Sequence, residues 1–328
     1  MPIIEPSRYK APFLMSNGHM QTVLPSFIRS LSSSFFRRER METDDDDFLD
    51  LDWAETGSDS IAILSHGLEG NSRRPYMIGM AAVLNRSGWD ALAWNYRGCS
   101  GEPNRQLRMY HSGAIDDLDR VVSRILRKGM YRTVALIGFS LGGNLTLLYL
   151  GTKGPSLDER VRKAVVFSAP CDLRSSAEAL ARPANFLYMR QFLQSFHSKI
   201  RAKMALWPDE INDYHFDRMK NFKDFDDRYT APLHGFENAE DYWQKCSSSA
   251  VIHRITTPTL IVNALNDPFL ENGCYPRAQA MNNEHVFLET PASGGHVGFM
   301  QFRSNGTYWS ELRAVEFLGA VKTLQKFT

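Results

Sequence analysis

The chain alternates between short apolar runs and longer stretches of helical period. Ile61-Ala62-Ile63-Leu64, Ala91-Leu92-Ala93-Trp94, Val134-Ala135-Leu136-Ile137, Ala164-Val165-Val166-Phe167, Thr259-Leu260-Ile261-Val262 and Val286-Phe287-Leu288 are almost free of polar residues. Runs of this kind, closed by glycine or polar residues, predict strands covered on both faces. Helical patterns separate them over 75–87, from about 111 to 127, after residue 140, and from about 308 to 324. Strand, helix, strand in repetition implies parallel crossovers, hence an α/β fold. Two further stretches, 35–41 and 48–53, flank Asp44-Asp45-Asp46-Asp47 and predict an antiparallel hairpin at a sheet edge.

The period changes at two places. Residues 1–33 are rich in proline and predict an arm laid over the core, which occupies 34–170 and 251–328. Between them, 171–250 reads as a helical insertion placed to cover one face of the sheet. Its apolar stripe Phe186, Leu187, Met189, Phe192, Leu193 and Phe196 reads as ordinary packing rather than contact with an acyl chain. His19 in the arm is expected to bond within its own loop. The four aspartates lack the interleaved glycine and distal glutamate of a calcium loop, and read as a solvated turn.

Composition narrows the function classes. The 328 residues carry 38 Lys and Arg against 37 Asp and Glu, a net charge of +1, so no nucleic-acid partner is expected. Cys99, Cys171, Cys246 and Cys274 are far apart without a C-x-x-C pair, so neither a metal site nor a disulfide framework is suggested. No basic, apolar leader opens the sequence and no run reaches the roughly 18 apolar residues of a membrane span. A soluble cytoplasmic protein without cofactor is the expectation; its oligomeric state has no signature in the sequence.

The candidate chemistry lies at strand ends. Gly138-Phe139-Ser140-Leu141-Gly142 follows a buried strand and opens a helix, the setting in which a serine is thrust out of a sharp turn. Asp267, in Leu265-Asn266-Asp267-Pro268, lies just past another strand, and His296 sits in the glycine loop Ser293-Gly294-Gly295-His296-Val297-Gly298. Alone, each has a plainer reading: a small-residue turn, an Asn-Asp-Pro turn, a flexible loop. Together they follow the order nucleophile, acid, histidine, in which the carboxylate fixes the imidazole and the imidazole takes the serine proton. His66-Gly67-Leu68-Glu69-Gly70, after the strand at 61–65, is either a simple glycine turn or a loop aiming the Leu68 N–H at a developing oxyanion; Leu141 N–H would be the second donor. His111 and Asp116 form an H-x4-D pattern, but Asp116 and Asp117 read as caps at the start of a helix.

With these motifs in place, the sequence resembles the YheT-like branch of the α/β-hydrolases. The resemblance rests on Asn17-Gly18-His19-Met20-Gln21-Thr22, the His66–Gly70 loop, Asn95-Tyr96-Arg97-Gly98-Cys99-Ser100-Gly101, Tyr110-His111-Ser112-Gly113, the turn around Ser140, Phe225-Asp226-Asp227 with Thr230-Ala231-Pro232-Leu233-His234-Gly235-Phe236, and Asn266-Asp267-Pro268 with Gly295-His296. It implies a mostly parallel eight-stranded sheet with helices on both faces and a helical cap, and hydrolysis of carboxylic esters by Ser140, Asp267 and His296. Three functions follow as expectations: a serine carboxylesterase for short or medium acyl esters, an acyltransferase passing the same acyl group to an alcohol, or a hydrolase-fold protein that binds an apolar ligand without turnover.

Overall fold

The computed structural model describes residues 2–302 and 306–319. Nine strands form one sheet: β1 (Ile3–Ile4), β2 (Arg37–Glu42), β3 (Phe48–Ala54), β4 (Ser60–Ser65), β5 (Asp90–Asn95), β6 (Thr133–Phe139), β7 (Val161–Phe167), β8 (Thr259–Val262) and β9 (Val286–Glu289). Their order is β1-β9-β8-β7-β6-β4-β5-β3-β2, and every pair is parallel except β2 with β3 and β3 with β5. The expected eight strands are present, the hairpin at one edge included. The ninth, β1, corrects the count: the arm runs parallel to β9, with Ile3 opposite Leu288 and Ile4 opposite Glu289. Two residues carry no period to read, so nothing in the sequence announced it.

Both faces are covered. Along β4, Ile61 and Ile63 point into one core with α3 (Ile115–Lys128) and α4 (Leu141–Lys153). Ala62 and Leu64 point into the other, with α2 (Pro75–Arg86) and the helix Trp309–Leu318. Alternate residues of an uninterrupted apolar strand thus feed two separate layers. Any continuation of the last helix toward 324 lies outside the described residues. The arm also carries a helix, α1 (Gly18–Ile28), capped by the Asn17 side chain, which accepts from Met20 N–H at 3.1 Å.

The acidic turn departs from its expected solvated character. Asp46 is open to solvent, but the Asp47 side chain is fully buried and accepts from Arg97 at 2.8 Å, Asn104 at 2.6 Å and the amide of Arg105 at 2.8 Å. Arg97, itself fully buried, also holds Asp117 at 2.8 Å and Asp45 at 2.9 Å. The carboxylates therefore surround a guanidinium and make a cross-link between hairpin, β5 loop and α3. Asp117 is consumed by this pairing and Asp116 by Arg108 and Arg120, while Ala114 stands at the helix start with no capping side chain. The expected cap is replaced by ion pairs; both acids still lie in the first turn, where the helix dipole favours them. Asp50 and Asp52 on β3 are likewise buried, each opposite an arginine of β2, Arg40 and Arg38.

Burial pushes the Asp47 carboxyl up, but hydrogen bonds from Asn104, the Arg105 and Phe48 amides and Arg97 outweigh it and hold it below the usual carboxylate range. A lowered folded-state value stabilises the fold at pH above the ordinary carboxylate pKa, and that contribution disappears as pH falls through the folded value. Melting temperature is therefore expected to fall steeply below about pH 4, and more shallowly in Asp47→Asn. Parallel acid titrations of the two proteins by circular dichroism measure the difference.

Candidate active site

Three strand ends and one loop build the site. At the end of β6 the chain turns directly into α4, and Ser140 stands at the junction with φ +54° and ψ −122°. A non-glycine residue with positive φ is strained, and such strain persists only where neighbours over-determine the backbone. Here Ser140 N–H donates to Phe167 O at 2.9 Å and Ser140 O accepts from Gly143 N–H at 2.8 Å. A Cβ on Gly138 would meet Gly142 O at 2.3 Å, and one on Gly142 would meet Ser65 O at 2.3 Å. Both glycines are thus required by close backbone approach.

Asp267 lies beyond β8 and His296 beyond β9, and their side chains meet Ser140. His296 Nε2 is 2.7 Å from Ser140 Oγ, while His296 Nδ1 is 2.9 and 3.1 Å from the two carboxylate oxygens of Asp267. Asp267 is buried and also accepts from the Phe269 amide at 2.9 Å, and the Phe269 ring packs on the imidazole with centroids 4.3 Å apart. A carboxylate on Nδ1 assigns the proton to that nitrogen and leaves Nε2 as an acceptor facing the hydroxyl.

The His66–Gly70 loop passes against Ser140: a Cβ on Gly67 would lie 3.1 Å from Ser140 Cβ. Its amides are almost all used. Gly67 N–H donates to Tyr76 Oη at 3.0 Å, Glu69 N–H to Tyr110 Oη at 3.0 Å, and Gly70 N–H to Gly67 O at 2.9 Å. Leu68 N–H has no partner among the described residues. His66, pushed down to about 3 by burial, is a neutral brace: Nδ1 donates to Gly67 O at 2.8 Å and Nε2 accepts from Tyr96 N–H. Leu68 and Leu141 both line the cavity that contains Ser140 and His296, and Leu141, at the first position of α4, has an amide without an intrahelical acceptor.

Sequence reasoning missed the supports of the histidine loop. Thr22, on α1, accepts from His296 N–H through its Oγ1 at 2.9 Å; Ser168 accepts from Val297 N–H at 2.9 Å; Asn266 accepts from Gly295 N–H at 3.0 Å. A Cβ on Gly18 would meet Asn266 O at 1.9 Å, so α1 packs directly on the loops that carry Asp267 and His296. Asn17–Thr22 was visible as a motif, but partners 274 positions apart leave no local trace. His19 differs from its expected role: Nδ1 lies 3.2 Å from Tyr188 Oη, on α5 (Phe186–Leu206), not within its own loop. The α5 stripe also divides. Phe192 and Phe196 line the cavity, whereas Phe186 and Leu187 are exposed.

Residues 63–302 match the family model of the alpha/beta hydrolase fold. The chain belongs to the α/β-hydrolase family. The Escherichia coli (strain K12) protein "Putative esterase YheT" is 34% identical over 87% of this chain and 85% of its own. "Phospholipase ABHD3" of Homo sapiens is 27% identical over 87% of this chain and 71% of its own. Among solved structures, the esterase Pf2001 of Pyrococcus furiosus superposes with a TM-score of 0.59 over 94% of this chain and 98% of that one; at 16% identity this likeness speaks to the fold alone. No helix among the described residues is long and apolar enough to cross a membrane.

Proposed function

We propose that this hydrolase is a serine carboxylesterase for short or medium acyl chains, working through an acyl-enzyme on Ser140. The observation that carries the reading is the imidazole of His296, bonded on one edge to a buried carboxylate and on the other to a serine held at positive φ. In this reading Nε2 takes the Ser140 proton as Oγ attacks the ester carbonyl, and Asp267 stabilises the imidazolium that forms. The Leu68 and Leu141 amides receive the oxyanion, where one such donor is worth about 3 kcal/mol. His296 then returns the proton to the departing alcohol, and water, activated by the same nitrogen, releases the acid.

The cavity supports an apolar substrate. It spans about 650 Å³ and opens in part to solvent, and Phe192, Phe222 and Trp243 of the segment between β7 and β8 form part of its wall. A panel of p-nitrophenyl esters from acetyl to hexadecanoyl, given to the purified protein, tests the reading. Turnover that peaks at short or medium chains, with a mass gain of one acyl group after acid quench, is the expected result; no turnover across the panel overturns it. Product partition in water with added ethanol separates hydrolysis from acyl transfer.

Thr22 enters this scheme as a positioning residue. Thr22→Val removes the acceptor for the His296 amide and is expected to lower kcat about tenfold with KM little changed, since a small displacement of a proton-transferring group is costly. Thr22→Ser keeps the oxygen and should restore the rate; steady-state kinetics of the two variants decides it.

A further inference from the structure

Across Leu68, Leu141 and Phe196, which line both, the cavity beside Ser140 adjoins a second chamber, open in part to solvent, that spans about 470 Å³. The outer chamber is walled by Ser140, His296 and Phe269; the inner one by His111, Thr230 and His234, and by neither Ser140 nor His296. Asp226 and Tyr242 border both. The inference rests on the acyl-enzyme reading above, because that chemistry orients the substrate. The departing alcohol must be within reach of His296, hence in the outer chamber. The carbonyl oxygen belongs at the Leu68 and Leu141 amides, which stand at the junction, so the acyl chain extends inward.

We propose that the inner chamber is the acyl subsite, and that its polar wall of His111, Thr230, His234 and Asp226 selects acyl chains bearing a hydroxyl group. His111 Nδ1 accepts from Gly113 N–H at 3.2 Å, which leaves the proton on Nε2. Neither that nitrogen nor either ring nitrogen of His234 has a hydrogen-bond partner among the described residues, and the two rings lie 4.3 Å apart. Burial holds both imidazoles neutral, pushing His111 down to about 3 and His234 to about 4. Each oxygen of Asp226 takes one bond, from Thr230 at 2.6 Å and Trp243 at 2.8 Å, and retains a lone pair. These groups keep unused capacity in a chamber walled largely by apolar side chains, and a ligand hydroxyl, donor and acceptor at once, satisfies them where an alkyl end does not.

Other chain ends fit less well. Glu69, on the same chamber, is already engaged by Tyr110, Ser195 and Lys199 and offers nothing new. No lysine or arginine lines the chamber, and Lys199 is already paired with Glu69, so a terminal carboxylate would find no free cation there, only Asp226, whose carboxyl burial pushes up to about 7. A plain alkyl end suits Met109, Phe225 and Leu233 but leaves the imidazole nitrogens without partners.

The test compares kcat/KM for p-nitrophenyl esters of ω-hydroxyhexanoic acid, heptanoic acid, which replaces the hydroxyl by a methyl group of like size, and adipic acid with its free carboxylate. The hydroxyl ester is expected to exceed the heptanoyl ester at least tenfold and the adipoyl ester by more, because a site built to bond a hydroxyl rejects its isostere. His234→Phe should bring the hydroxyl-to-heptanoyl ratio to one or below; Thr230→Val, nearly isosteric, is the second variant should His234→Phe fail to fold. Equal wild-type rates on the hydroxyl and heptanoyl esters overturn this inference while leaving the esterase reading in place. A preference that survives in both variants also overturns it. Absence of turnover on all three esters and on the simple ester panel sinks the esterase reading instead.

Discussion

Ser140→Ala is expected to lower kcat for ester hydrolysis about a million-fold, to the level set by binding and oxyanion stabilisation alone. The variant should fold unchanged, since the lost atom is one hydroxyl oxygen facing a cavity. His296→Ala should cost nearly as much, and the double variant scarcely more than either, because a serine without its base and a base without its serine are equally idle. The scheme makes a second reading available: a fluorophosphonate probe should label the wild type and leave Ser140→Ala untouched. Rate losses that multiply in the double variant, or equal labelling of both proteins, would remove Ser140 and His296 from the roles assigned here. Circular dichroism and melting curves on the same preparations establish that chemistry and not folding is being read.

The largest effect on stability is expected from Arg97→Met. The guanidinium has no exposed surface and makes hydrogen bonds to the carboxylates of Asp47 and Asp117, both almost wholly buried. Replacing it with an apolar side chain of similar length leaves those charges without compensation in a low-dielectric site, and breaking a buried pair in this way costs about 3–5 kcal/mol. For a chain of this size that is a fall in melting temperature of roughly 4–7 °C. Arg97→Lys should fall between, since an ammonium keeps the charge but loses the planar fork that reaches two carboxylates together. Urea denaturation at neutral pH measures the loss. A change under about 1 kcal/mol would mean that the cluster behaves as a solvated ion pair.

Parts of this architecture were legible because they are local. The buried strands show as unbroken apolar runs, since a parallel strand covered on both faces has no polar position to spare. The turn at Ser140 shows because glycine is the only residue that permits the approach of Gly142 to Ser65, and that demand is met within five consecutive positions. Asp267 and His296 were found through their strand ends rather than through their own neighbours. What could not be read was anything set by pairing across the chain. The four aspartates looked like a solvated turn, because their composition is that of one; burial of Asp47 depends on an arginine fifty positions away. Thr22 was one residue of a short motif without a visible task. The apolar stripe of α5 is uniform in composition, yet only part of it turns toward the cavity.

The sequence by itself determined the eight strands and the helices between them from residue 35 onward, the sharp turn that exposes Ser140, and the strand ends that carry Asp267 and His296, because each is written in backbone geometry and burial over a few neighbouring residues. Only the tertiary structure decided that α1 braces the histidine loop, that the Leu68 amide is the free one of its loop, and that a second, partly polar chamber adjoins the cavity beside Ser140. Those features are made by side chains brought together from distant segments, and the free energy that selects them exists only once the segments are packed.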